Sequence, residues 1–443
     1  MTAANQRQLA RQIIKAALKA VDPAQAVADY FQANPQLVTQ INDSPGKVLV
    51  VGAGKAGAPM AAAVSEIFGD KIEAGRVVVK YGHSAVDGDK ADSTRVRISE
   101  AGHPIPDQAG LEAARSIVQL LENSSSKDIV LCLISGGGSA LLTLPADGVS
   151  LGDLQATTEM LLAAGATINE FNTIRKHLSA VKGGRLAQIA APATVHTLIL
   201  SDVVGDPLPV IASGPTVPDP TTFAEAWNII QHYQLQDRLP EPVRHRLQQG
   251  RAGEIPDTPK PGDALFERVH HAIIGSNRIA ARAAVEAAQR AGLNAQLLTT
   301  FVEGEAREIG KLLAGLAKGL LVDEGPLQRP ACLVLGGETT VTLKGDGKGG
   351  RNQEMALAAA IALAGWHGTL IVCLGTDGTD GPTDAAGAFA DGATVARAQT
   401  LGLNGLSFLK RNDAYNFFEP LDDLIITGPT QTNVNDLYLI LVW

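Results

Sequence analysis

Hydrophobic positions along the chain fall into short β-branched runs separated by stretches of helical period. KVLVVG (47–52) predicts a strand, and a glycine turn and the alanine-rich PMAAAVSEIF predict a helix behind it. RVVVKYG (76–82) reads as a second strand, residues 107–122 as a helix, and DIVLCLI (128–134) as a fully buried strand. Helical periodicity continues over 151–165 and 176–190, VHTLILSDVVGD (195–206) is a strand ending in acidic residues, and 222–234 is helical. Alternation of this kind builds βαβ units with a parallel sheet between helices.

Residues 236–264 break the pattern. They are polar, and Pro240, Pro242, Pro256, Pro259 and Pro261 crowd them, so the segment 241–264 is expected to link two domains. A second α/β set follows: HHAIIGSN (270–277), a helix closing at Gly292, AQLLTT, a helix over 305–320, PACLVLGGETTVTL (330–343) as one or two strands, the helix RNQEMALAAAIALAG (351–365), the strand TLIVCLGTDGTDG (369–381) and a closing strand DLYLILVW. The fold class expected is α/β in two domains, 1–240 and 265–443, each a mainly parallel sheet flanked by helices, the first Rossmann-like.

Composition narrows the function. With 443 residues, the chain exceeds the roughly 100–200 residues of one ordinary domain. Net charge is −9 without any Lys/Arg block, which argues against nucleic acid as a partner. Residues 5–20 are amphipathic, but Arg7, Arg11, Lys15 and Lys19 interrupt the apolar positions, and a helix packed on the first domain explains them better than a membrane contact. No stretch reaches the length of a membrane span. Cys132, Cys332 and Cys373 each sit in an apolar run, as buried strand residues do, and a reducing cytoplasmic location suits them.

In parallel α/β sheets, ligands bind beyond the carboxyl ends of the strands, and glycine-rich loops follow several strands here. The first, Gly52-Ala53-Gly54-Lys55-Ala56-Gly57, has the GxGxxG form of a dinucleotide site. The next strand ends in Lys80, where a ribose-binding acid would stand, which counts against NAD. Lys55 within the turn instead places an ammonium beside backbone N–H groups at a helix start, an anion site. The second loop, Ser135-Gly136-Gly137-Gly138-Ser139, lets backbone approach a phosphate or carboxylate closely. It is not a GxSxG elbow, so hydrolase chemistry is disfavoured. Arg175, Lys176, Lys182 and Arg185 form a cationic cluster, either a solvated face or a partner for anions; His177 among them reads as a capping or packing residue rather than a catalyst. Asp202, Asp377 and Asp380 follow strands and are candidates for Mg²⁺ or for capping and turns. Arg351 opens a helix after a glycine run, placed to neutralise a transferred phosphoryl group, and Glu338 and Glu354 could bind metal or orient it. A Walker-type GxxxxGK[ST] and the protein-kinase HRD and DFG signatures are absent from the sequence.

In order, VGAGKAG, EAGHPIPD (100–107), SGGGSALL, IRKHLSAVKGGRLA, LSDVVGDPLPVIASGPTVPDPTT, GGETTVTL, GKGGRNQE, GTDGTDGPTDAAG and GPTQTNVND (428–436) resemble the glycerate 2-kinase family over residues 8–440, with Gln431 where Gly is commoner. That family pairs a glycerate kinase domain with a C-terminal MOFRL region, here about 330–438. The resemblance implies ATP-dependent phosphorylation of D-glycerate at the 2-hydroxyl, with Mg²⁺, in an interdomain cleft. It implies Lys55 and Arg351 as the catalytic pair. Gly54, Ser135, Gly136, Gly137, Gly138, Ser139, Arg175, Lys182 and Glu338 are expected around the phosphate or the glycerate carboxylate. Glycerate and ATP are the expected partners, and a homodimer stays open. Two other readings compete: an NAD(P)H-dependent hydroxypyruvate reductase and a non-catalytic phosphometabolite-binding protein.

Overall fold

The computed structural model describes residues 2–84 and 95–443. The chain divides into two compact units, Pro23–Ile274 and the N-terminal residues through Asp22 together with Gly275–Trp443.

In the first unit the strands β1 (Val48–Ala53), β2 (Ile72–Lys80), β3 (Val96–Ala101), β4 (Ile129–Ile134), β5 (Thr194–Leu200) and β6 (Val269–Gly275) form one sheet in the order β3-β2-β1-β4-β5-β6. The pairs β1–β2, β1–β4, β2–β3 and β4–β5 are parallel. All six residues of β1 and of β4 are buried, as central strands covered on both faces must be. This order is that of a dinucleotide-binding fold, and β1 and β4 flank its switch point, where the loops of a ligand site gather.

The second unit holds β7 (Asn294–Val302), β8 (Ala331–Gly337), β9 (Thr369–Gly375), β10 (Gly387–Asp391), β11 (Leu424–Ile425) and β12 (Asp436–Val442), in the order β11-β10-β9-β12-β8-β7. Here the expectation of a mainly parallel sheet fails. Only β7–β8 is a parallel neighbour pair, because β12 inserts antiparallel between β8 and β9, and β10 and β11 continue antiparallel at the edge. A strand buried on both faces carries the same apolar run in either direction, so DLYLILVW could not reveal its orientation.

Three further expectations change. The proline-rich 241–264 is not a bare linker: Glu241–Ala252 is a helix with proline in its first turn, and Val243 and Leu247 are buried against Phe223, Trp227 and Ile230. The helix Ala3–Lys19 belongs to the second unit rather than the first domain. It packs on the helix Asn277–Arg290, Arg7 pairs with the buried Asp423, and the Arg11 guanidinium lies over Phe389. The helix expected over 176–190 splits into Ile168–His177 and Arg185–Ala190, broken by Gly183 and Gly184, both at positive φ. Cys132, Cys332 and Cys373 are free and buried in β4, β8 and β9, as expected. Among the described residues no helix is long and apolar enough to cross a membrane.

Candidate functional site

Two loops meet beyond β1 and β4. Gly54 has φ +141°, and a Cβ there would lie 2.1 Å from Ser135 Oγ, so only glycine fits. The close approach consumes the amides of the first loop. Gly54 N donates to Val78 O (3.0 Å), Lys55 N to Gly136 O (2.8 Å), Ala56 N to Ser135 Oγ (3.0 Å) and Gly57 N to Gly54 O (3.0 Å). The expectation that Lys55 stands among free N–H groups of its own turn is therefore wrong. The GAGKAG turn is a brace for the second loop.

The second loop carries the free donors. Gly136 N and Gly137 N have no hydrogen-bond partner among the described residues. Gly137 has φ +83°, and a Cβ on it would lie 3.5 Å from Lys55 Cγ, so the lysine stem runs past this backbone. Asp202, at the end of β5, lies against Gly136, with its Oδ2 2.1 Å from where a Cβ would stand. Ser139 Oγ is 3.0 Å from Ser213 Oγ, which donates to Asn172 Oδ1 at 2.9 Å.

Of the cationic cluster, most is structural. Lys182 Nζ donates to Ser139 O (2.8 Å) and Leu142 O (2.7 Å), and burial together with the Arg175 charge brings its pKa down to about 7. It tethers the glycine loop rather than offering a free ammonium to a carboxylate. Lys176 pairs with the buried Asp219 at 3.2 Å. His177 stacks edge-on against Phe223 and bonds Thr173 O and Asp257, a packing role as expected. Arg175 differs: its guanidinium lies 3.9 Å over the Phe171 ring, it has no ion-pair partner among the described residues, and burial lowers its pKa to about 10.

A second cluster lies in the other unit, at the start of the helix Arg351–Ala362. Arg351 Nη1 donates to Glu338 Oε1 (2.8 Å), and its Nε pairs with Asp436 Oδ2 (2.7 Å). Burial would lower the guanidinium pKa, but Asp436 and Glu338 outweigh it and hold it above its usual value. Glu338 is thus paired with Arg351, while Glu354 pairs with Arg307 and accepts from Asn412. Gly350, before the helix, has no side chain to cap it. Asp380 fills that role: Oδ1 accepts from Asn352 N (3.1 Å) and Oδ2 from Gln353 N (2.8 Å). Burial raises its pKa to about 7 despite these bonds. Asp380 thus caps a helix, and the expectation of a free metal ligand there is not met. Asp377 is half-buried and accepts from Thr379 N. Among the described residues no three His, Cys, Asp or Glu side chains group to hold a metal ion.

Residues 9–248 match the model of a domain of unknown function, DUF4147, and residues 331–436 match the MOFRL family. The D-glycerate 2-kinase of Thermotoga maritima is 43% identical over 436 residues, 98% of each chain. The chain belongs to the glycerate 2-kinase family. A crystal structure of glycerate kinase from Thermotoga maritima superposes with a TM-score of 0.90 at 43% identity, covering 99% of this chain and 100% of that one. A relative in Agrobacterium vitis, 43% identical over 98% of this chain and 94% of its own, is named provisionally a hydroxypyruvate reductase.

Within the family's motifs, the sequence reading did not single out Asp436, the buried partner of Arg351. It ends the segment GPTQTNVND, which lacks the lysine, arginine or glycine pattern that marks a phosphate site.

Proposed function

We propose that this chain phosphorylates D-glycerate at its 2-hydroxyl, taking the phosphoryl group from ATP. Family membership over nearly the whole chain supports the kinase. The observation that weighs against a dinucleotide enzyme is the hydrogen bonding of residues 54–57, whose four N–H groups are all satisfied internally. A pyrophosphate-binding GxGxxG turn needs those amides for its ligand. The sheet order alone would have allowed a nicotinamide cofactor.

Phosphoryl transfer needs positioning and charge neutralisation more than covalent chemistry. In this proposal Lys55 and Arg351 are the catalytic cations, each on a rigid mount. The free N–H groups of Gly136 and Gly137, with Gly138 and Ser139, receive phosphate or carboxylate oxygens. Arg175, without a carboxylate of its own, takes the glycerate carboxylate. Mg²⁺ with phosphates needs only one or two protein carboxylates and keeps water, so Asp202 beside the glycine loop suits it, with Asp377 as the other candidate. Bound there, the ion would neutralise phosphate charge. The three buried free thiols suit a cytoplasmic setting.

The test supplies glycerate, ATP and Mg²⁺ and follows ADP, with phosphorus NMR of the product. Formation of 2-phosphoglycerate is expected. Absence of ADP, together with oxidation of NADH by hydroxypyruvate, would turn the reading towards the reductase.

A further inference from the structure

His103 follows β3, in the loop that carries EAGHPIPD. Its ring edge lies against Gly137: a Cβ on that glycine would sit 3.0 Å from His103 Cδ2 and 3.1 Å from Nε2. The same point is 3.5 Å from Lys55 Cγ. The imidazole therefore shares the backbone of Gly137 with the lysine stem, beside the free N–H groups of Gly136 and Gly137. Neither ring nitrogen bonds to a described residue, and the ring is half-buried. Unlike the fully buried His177, whose two nitrogens both bond within the protein, His103 is only half-buried and leaves its nitrogens open towards solvent or a ligand.

We propose that His103 is the group that accepts the proton of the glycerate hydroxyl as it attacks ATP. This rests on the kinase reading above. The nitrogen concerned is Nε2 of the tautomer carrying its proton on Nδ1. As the hydroxyl oxygen bonds to the γ-phosphorus, the bond to the bridging oxygen breaks. That oxygen leaves on ADP with the electron pair, the hydroxyl proton passes to Nε2, and His103 then releases it to solvent.

The surroundings keep the ring ready for this. Burial, then the charges of Lys55, Lys80 and His83, bring the His103 pKa down to about 4. The carboxylates on the neighbouring loops are engaged elsewhere, Glu100 with Gly82 N and Asp107 with Gly110 N and the Tyr81 hydroxyl. His83 bonds Lys55 O through Nδ1, which fixes the backbone of the catalytic lysine and leaves His103 as the ring at the glycine loop. An imidazole of such low basicity is a poor base for a free alcohol. In a loose transition state the proton becomes acidic only as the O–P bond forms, and a neutral acceptor then suffices.

The experiment compares wild type with His103→Gln, which keeps a polar group of similar reach but takes no proton at neutral pH, using glycerate and ATP with Mg²⁺. The expected result is a fall of about a hundredfold in kcat, KM for both substrates little changed, and loss of the acid limb of the kcat–pH profile. Imidazole added to His103→Ala should restore part of the turnover. Wild-type kcat in His103→Gln, or a loss confined to KM, overturns the proposal. Should both variants fail to fold, diethyl pyrocarbonate treatment of the wild type decides. Turnover must fall in step with modification of His103 located by mass spectrometry, and full turnover of protein modified there overturns the assignment. A wild type inactive on glycerate would sink the kinase reading itself, whereas an active wild type with an equally active His103→Gln sinks only the role of the histidine.

Discussion

Arg351 Nε lies 2.7 Å from Asp436 Oδ2, so the first residue of one helix is tied to the first residue of the last strand. Asp436 is fully buried and also accepts from Asn352 Nδ2 and the Tyr438 hydroxyl, while its backbone oxygen takes Asn277 Nδ2. The cation proposed for catalysis is therefore aimed by a carboxylate that no solvent reaches. Replacing Asp436 by Ala leaves Arg351 and Asn352 without that partner and should cost about 3 kcal/mol of stability. Asp436→Asn keeps the shape and removes the charge. It should remain folded, with a melting temperature near wild type, and lose about tenfold in kcat as Arg351 leans towards Glu338. Wild-type kinetics in Asp436→Asn would show that the aim of Arg351 does not depend on this pair.

Lys55→Ala and Arg351→Ala remove one cation each from the proposed chemistry. Each should lower kcat by about a thousandfold, the scale on which positioned cations stabilise a transferring phosphoryl group. Lys55 makes its backbone bond through N–H, and its side chain makes no hydrogen bond to another described residue, so stability should hold. Steady-state kinetics with melting curves separate the two effects. Near-wild-type turnover in either variant removes that residue from the mechanism.

Much of this arrangement was legible in the sequence because strands and glycine loops are local events. KVLVVG followed by GAGKAG announces a strand and a tight turn without knowledge of the rest of the chain, and β1, β2, β4 and β5 of the first sheet followed from such units, whereas β3 was not expected and the strand over 270–277, expected in the second domain, is the β6 edge of the first sheet. What stayed hidden depends on partners far along the chain. That the amides of residues 54–57 are consumed could be known only once Val78, Ser135 and Gly136 were placed beside them. In the helix Ala3–Lys19, Arg7 meets Asp391 and Asp423 and Arg11 lies over Phe389, nearly the full chain length away. Asp380 looked like a metal ligand because Asp-Gly strings follow a strand, while its use as a cap arises from a helix whose preceding residue is Gly350.

Two glycines with nearly the same φ separate strain from function. Gly137 has φ +83° and Gly148 has φ +80°, but a Cβ meets His103 and Lys55 at the first and nothing within 4 Å at the second. Both alanine variants should lose about 1–2 kcal/mol, the cost of a left-handed residue with a side chain. Only Gly137→Ala should also lose activity, because its methyl group crowds the His103 ring. Equal kinetics in the two variants would mean that the space beside Gly137 is not used in the reaction.

Lys182 gives the pH dependence a sign. Unfolded, its amine holds a proton up to about 10.5; folded, burial and the Arg175 charge release that proton near pH 7. Between those values the unfolded chain binds more protons, so this residue makes stability rise with pH, and its destabilisation is fully present below about pH 7. The geometry agrees: a neutral amine has two N–H groups, and Nζ meets two carbonyls, Ser139 O and Leu142 O. Denaturant unfolding of wild type and Lys182→Met across pH 6 to 10 tests this. The variant should lose the part of the slope that rises above neutrality, while its missing bonds loosen the glycine loop and raise KM. If the two stability curves run parallel, Lys182 stays protonated in the folded protein and the tether carries its full charge.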